Sequence, residues 1–223
     1  MPEKVKLGLG LGPWPFGRAD PELFLKYINR AEGLGIDSVW LSERLVGGSV
    51  LEPVVALAVV AGRTRRLKLG TSALIPALRP PVVLAKELAA LDFLSRGRLL
   101  LTVGLGADDA AEFAAVGVPK WERAGRTDEA VVLLRRLWTE DRVTFSGRYY
   151  RVEGVEVWPK PFRPGGPPIW VGGRSEAALD RAARLGDGWL ASSITPEEFA
   201  AGRRRIEALL DRYGRTIEPD HYG

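Results

Sequence analysis

Pro168-Ile169-Trp170-Val171-Gly172-Gly173-Arg174-Ser175-Glu176 is followed by Gly186-Asp187-Gly188-Trp189-Leu190-Ala191. An apolar run of β-formers meets two glycines, an amphipathic segment fills residues 175–185, and a Gly-Asp-Gly turn feeds a second apolar run. The pattern predicts strand, glycine turn, helix, strand. Gly172 and Gly173 leave the backbone open to a ligand, and Ser175 caps the helix. A helix N-terminus at the carboxyl end of a strand presents free N–H groups and partial positive charge, to which Arg174 adds a full one; a phosphate fits there. On spacing alone, a tight βα connection accounts for the glycines equally well.

The same rhythm extends outward. Residues 5–11 read as a buried strand and 12–17 as a loop, and Asp20-Pro21 opens a helix that stops at Gly33-Leu34-Gly35. Ser38-Val39-Trp40-Leu41-Ser42 is the second strand, ending in Glu43-Arg44, and residues 51–62 form a helix of small apolar residues. A third strand spans 67–75, and a helix runs from Pro80-Pro81 to Ser95-Arg96-Gly97. The continuous apolar run Leu99-Leu100-Leu101-Thr102-Val103-Gly104 suits a parallel strand covered on both faces. A long polar connection over 105–120 leads to a helix over about 122–139. Residues 142–168 break the rhythm as a hairpin around Ser146-Gly147, packed outside the main sheet, with a proline-rich return. Pro196 opens a last helix with Phe199, Ile206, Leu209, Leu210 and Tyr213 as its apolar face. Such βα alternation predicts a parallel sheet, doubly wound or closed as a (β/α)8 barrel. Six units are legible where a barrel has eight, and a seventh strand should start at Ile217-Glu218-Pro219-Asp220-His221-Tyr222-Gly223.

Length and composition fit one α/β domain over residues 1–223, 46% hydrophobic and 27% charged. With no cysteine, disulfides, thiolate catalysis and zinc–sulfur sites are excluded, which suits a reducing cytoplasm. The single histidine, His221, argues against a metal site or a Ser-His pair inside the fold. The net charge of +4 comes from interleaved acids and bases, as in Glu197-Glu198 before Arg203-Arg204-Arg205; this is a solvated pattern that gives no nucleic-acid footprint. Met1-Pro2-Glu3-Lys4 opens no apolar signal core, and no run nears the length that spans a bilayer.

Several blocks in this order resemble the luciferase-like monooxygenase family, most closely its F420-dependent oxidoreductase and tetrahydromethanopterin-reductase-like branch. They are Pro81-Val82-Val83-Leu84-Ala85-Lys86 with Leu91-Asp92-Phe93-Leu94-Ser95-Arg96-Gly97-Arg98-Leu99; Gly104-Leu105-Gly106; Glu112-Phe113 before Gly117-Val118-Pro119; Arg126-Thr127-Asp128-Glu129-Ala130; Phe145-Ser146-Gly147-Arg148-Tyr149-Tyr150; Pro159-Lys160-Pro161; and the opening motif. The resemblance implies a TIM-type barrel that holds coenzyme F420, or alternatively FMN, at the carboxyl ends of its strands. Gly172, Gly173, Arg174 and Ser175 would hold the phosphate. The ring would lie near Ser42, Glu43, Thr71, Ser72, Ala73 and Gly104, with Trp189, Leu190 and Ala191 closing one side.

The cofactor would carry the redox chemistry on a small organic substrate, by hydride transfer or O₂ activation. Glu43 and Arg44 are the catalytic candidates: Glu43 as acid or base, or else a carboxylate paired with Arg44, and Arg44 as a stabiliser of negative charge on a reduced ring. Many relatives place a histidine where Arg44 stands, and the last two βα units of the barrel have no counterpart in this sequence. A homodimer covering the open edge is expected. A non-catalytic flavoprotein, or a barrel remnant completed by a partner subunit, stands as the alternative. Trp14, Trp40, Trp170 and Trp189 read as slot walls or plain core, Asp108 and Asp109 as solvated loop residues, and Arg126, Asp128 and Glu129 as a structural ion-pair cluster.

Overall fold

The strands are β1 (Gly8–Leu11), β2 (Ser38–Leu41), β3 (Lys68–Thr71), β4 (Leu99–Val103), β5 (Val143–Ser146), β6 (Arg151–Val155), β7 (Ile169–Gly172) and β8 (Gly188–Leu190). This computed structural model describes residues 5–16 and 20–223. The expectations for Met1-Pro2-Glu3-Lys4 and for Gly17 at the end of the first loop lie outside the described residues. β1-β2-β3-β4-β7-β8 form one sheet in that order, with every neighbouring pair parallel. β5 and β6 pair antiparallel in a separate hairpin, as the break in rhythm predicted.

The sheet curls. Trp40 on β2 and Trp170 on β7 are three strand steps apart, about 14 Å in a flat sheet, yet their ring centroids lie 6.4 Å apart. Lys6, just before β1, reaches Asp220 near the other end of the chain at 2.9 Å. Residues 221–223 then add the first rungs of a seventh parallel strand, Trp189 N–H to the His221 carbonyl at 3.0 Å and Gly223 N–H to the Trp189 carbonyl at 3.0 Å. The architecture is a TIM-type barrel with six βα units and the beginning of the next.

The helices are α1 (Pro21–Gly33), α2 (Pro53–Arg63), α3 (Pro81–Ser95), α4 (Ala110–Ala114), α5 (Arg123–Thr139), α6 (Glu176–Leu185) and α7 (Pro196–Tyr213). Their starts follow local chemistry. Asp20 accepts from the Glu22 N–H, Ser175 from the Ala178 N–H, and Thr195 with Glu198 makes a full capping box. α3 ends where Arg96 and Gly97 turn left-handed, at φ 57° and 74°. Strand residues alternate: Val39, Leu41, Leu101, Val103 and Val171 are buried in the core that includes Leu57, Leu88, Leu134 and Ile206 of the helices. Trp40 and Trp170 turn the other way and lie over the glycines of the next strands, where a β-carbon at Gly70 or Gly188 would strike their rings.

The Asp92-to-Arg98 block proves to be structural. Asp92 accepts from the Arg163 N–H at 3.1 Å, and Arg98 donates to the Ala61 and Leu67 carbonyls at 2.8 and 3.0 Å, tying α3 to the end of α2. Three local readings are corrected. Residues 5–11 are not a buried strand: β1 lies at the edge of the sheet, Val5 and Leu7 before it are 78% and 59% exposed, and within it only Leu11 is buried. The 105–120 connection contains α4, because Asp109 caps it and Phe113 is wholly buried. Glu129 accepts from three hairpin amides, Arg148, Tyr149 and Tyr150, instead of joining an ion-pair cluster, while Asp128 reaches Arg181 and Arg184 of α6.

Candidate functional site

Beyond the carboxyl ends of β3, β4 and β7, three residues with little or no side chain converge. A β-carbon built on Gly104 would sit 3.0 Å from the Ala73 β-carbon, and one on Gly172 would sit 3.5 Å from it and 3.4 Å from Thr102 Cγ2. Ala73, Gly104 and Gly172 therefore lie packed together at these strand ends, a floor built of backbone and one methyl group. Ser72, exposed beside Ala73, donates its N–H to the Leu41 carbonyl at 2.8 Å, and Ser42 is half-buried at the end of β2. Thr71 is fully buried, and its hydroxyl closes the β3–β4 ladder, giving to the Thr102 carbonyl at 2.8 Å and accepting the Thr102 N–H at 2.9 Å.

At the far end of the floor, Gly173 adopts φ +120°, a conformation that favours glycine. Its carbonyl accepts from Trp189 Nε1 at 2.6 Å and its N–H donates to the Leu190 carbonyl at 3.2 Å, so the turn is rigidly held. Ser175 caps α6, whose first-turn N–H groups open outward beside exposed Arg174. Arg174 donates to the Ser193 carbonyl at 2.7 Å, which steadies its charge there. Leu190 and Ala191 are half-buried at the end of β8. Trp189 lies in the core, 1% exposed and stacked on Phe199 of α7 at 5.3 Å, so it supports the glycine turn from behind.

The two catalytic candidates do not pair with each other. Glu43, its side chain 2% exposed, binds the Arg79 guanidinium and accepts the Ile75 N–H. Burial raises its carboxyl from 4.5 to about 7, against the downward pull of Arg79 and the Ile75 N–H. Arg44 instead bonds Asp109 at 2.8 Å and the Val46 carbonyl at 3.2 Å. Asp109 is thus paired with Arg44 and not merely a solvated loop carboxylate, whereas Asp108 stays exposed and pairs with Lys120 at 2.5 Å. Next to Arg44, the Leu45 N–H donates to buried Glu112 at 2.6 Å.

The pairing of Arg79 with Glu43, of Asp109 with Arg44 and of Glu112 with the Leu45 N–H was not legible in the sequence. For the two acids a signal existed, since Asp109-x-x-Glu112 has capping-box spacing. Among the described residues, no group of His, Cys, Asp and Glu is arranged to hold a metal ion, and no helix is long and apolar enough to cross a membrane.

Comparison with known proteins agrees with this fold. An F420-dependent glucose-6-phosphate dehydrogenase of Amycolatopsis mediterranei (strain U-32) is 34% identical over 233 residues, covering 96% of this chain and 68% of the relative. A protein of the same name from Kineococcus radiotolerans is 41% identical over 200 residues, covering 86% of this chain and 57% of the relative. The chain thus spans little more than half of the second relative's length. Among solved structures, monooxygenase RslO1 from Streptomyces bottropensis superposes with a TM-score of 0.87 at 31% identity, over 98% of this chain and 69% of that one. Residues 7–222 match the family described as luciferase-like monooxygenase. The chain belongs to the luciferase-like monooxygenase family.

Proposed function

We propose that this chain binds coenzyme F420, with FMN as the alternative, and serves an oxidoreductase acting on a small organic molecule. The observation that carries the reading is the floor of Ala73, Gly104 and Gly172 running directly into the Gly173 turn and the N-terminus of α6. A flat ring beside small residues and a phosphate at a helix N-terminus are what such an arrangement would take. The residues present fit the group: Gly104 and Gly172 supply the space a β-carbon would close, and Arg174 and the α6 amides supply positive potential for the phosphate. The chemistry such a cofactor supplies when bound is two-electron hydride transfer. The relatives named as F420-dependent dehydrogenases support that reaction over O₂ activation.

This chain's own residues orient and polarise. Arg44, held by Asp109, places its guanidinium at the end of β2, where it would stabilise an electron-rich ring. Glu43, with its carboxyl near 7, is poised to exchange a proton at neutral pH.

The partner we propose is a second copy, and the surface offered is the outer face of α2 and α3. A groove of about 670 Å³ runs there between Val55, Ala58, Gly62, Ala90 and Leu94, and Val55 and Leu94 are 67% and 75% exposed. Glu52, Glu87 and Arg79 line it toward one end and Arg65 toward the other, and the apolar residues between them are what a second copy would cover. The compartment this reading assigns is the cytoplasm, in keeping with a cysteine-free chain.

Titration of the purified protein with F420 and, separately, with FMN tests the reading. We expect micromolar or tighter binding of one of them, lost on Arg174→Glu. Binding of neither would refute the cofactor assignment and leave the chain a non-catalytic family member.

A further inference from the structure

Three consecutive residues leaving β2 are each tied to a different anchor. Glu43 is bound to the chain after β3 through Ile75 and Arg79, Arg44 to Asp109, and the Leu45 N–H to Glu112. The last two anchors share one short helix, α4. Five residues do not make a stable helix in water, so α4 depends on its docking. Phe113, with no exposed surface, packs into a small cluster with Ile75, Ala77 and Leu78, and this seats the helix.

Asp109 has two tasks. One oxygen caps α4 through the Ala111 N–H at 3.0 Å, and the other holds Arg44 at 2.8 Å. Glu112 is wholly buried, and its second oxygen, Oε2, has no hydrogen-bond partner. Burying a carboxyl that uses only one oxygen is unfavourable, so the Leu45 contact is not a by-product of a strong local ion pair.

We propose that Glu112, acting with Asp109, is a positioning residue that latches the Arg44-Leu45 backbone onto α4 and so fixes the place of the Arg44 guanidinium at the end of β2, where the proposed function needs it. This rests on the cofactor reading above. Glu112 holds the backbone on one side of the guanidinium's root while Asp109 holds its tip. Together they remove the freedom that a long arginine on a glycine-containing loop would otherwise keep.

Hydrogen exchange at the Leu45 amide in cofactor-free protein, read alongside F420 titration, tests the latch. In Glu112→Ala we expect Leu45 exchange to accelerate at least about tenfold and F420 affinity to fall by about tenfold to a hundredfold. Glu112→Gln, whose amide oxygen still accepts the Leu45 N–H, should stay within about threefold of the parent on both readouts. In an Arg44→Ala background, Glu112→Ala should weaken F420 no further, because the two act as one unit.

Unchanged Leu45 exchange in Glu112→Ala would overturn the proposal, and so would losses from Glu112→Ala and Arg44→Ala that simply multiply. If Glu112→Ala does not fold, Glu112→Gln and Asp109→Asn decide. Parent-like affinity for the first with weakened affinity for the second supports the latch, and equal affinities overturn it. If the parent protein binds neither F420 nor FMN, the cofactor reading falls, while the exchange measurement still judges the latch.

Discussion

Glu43 concentrates the electrostatics of the site in one carboxyl. Its folded value of about 7 lies above the ordinary 4.5, so the folded protein holds the proton more tightly than the unfolded chain. Between those two values unfolding releases a proton, and this group's contribution makes stability fall as pH rises through the window and level off above it. Glu43→Gln should flatten that slope. Urea unfolding of both proteins at about pH 5 and about pH 8 checks it, and an unchanged slope in the variant would contradict the assignment. In the sequence Glu43 stood out only as a strand-end acid beside Arg44, whereas its actual partner, Arg79, lies 36 residues along the chain. Nothing local distinguishes that arginine from the others. By contrast Asp20 and Ser175 were legible as helix starts, because each satisfies an amide within its own first turn.

α4 shows how a feature with a weak sequence signal comes to organise the site. Its five residues carry little intrinsic stability, and burial of Phe113 supplies what propensity does not. Phe113→Ala should destabilise the protein by about 3–5 kcal/mol, measured by urea unfolding, and should also free the Leu45 amide to exchange. Destabilisation below about 1 kcal/mol would mean that the small cluster around Ile75 does not anchor the helix. The longer helices were read to within a few residues because their apolar faces and caps repeat over several turns. The third strand was read too long, as 67–75, because its apolar run continues past the point where the ladder stops. Its regular part ends at Thr71, and Leu74 rejoins β4 by a single bridge to Val103.

At the scale of the whole molecule, the exposed apolar residues of α2 and α3 bear on assembly. Val55→Asp places a charge in the middle of the groove and should convert the proposed dimer to monomers with little change in secondary structure, which light scattering and circular dichroism measure together. A parent protein that scatters as a monomer at tens of micromolar would sink the dimer reading. The open-edge cover expected from the sequence and the apolar face seen in the structure are different surfaces. The edge beyond β8 already carries residues 221–223, and the apolar face lies on the helices.

The sequence by itself determined the βα order, the parallel sheet, the hairpin excursion and the glycine turn before α6. These follow from periodicity, caps and glycine chemistry, which act over a few neighbouring residues. Tertiary structure decided the curl that brings Trp40 to Trp170, the convergence of Ala73, Gly104 and Gly172, and the partners of Glu43 and Arg44. The partners of Glu43 and Arg44 depend on which of 32 basic and 28 acidic side chains arrive at the same strand ends once the sheet has bent. Coulomb attraction and burial select among them only after the fold has set the distances.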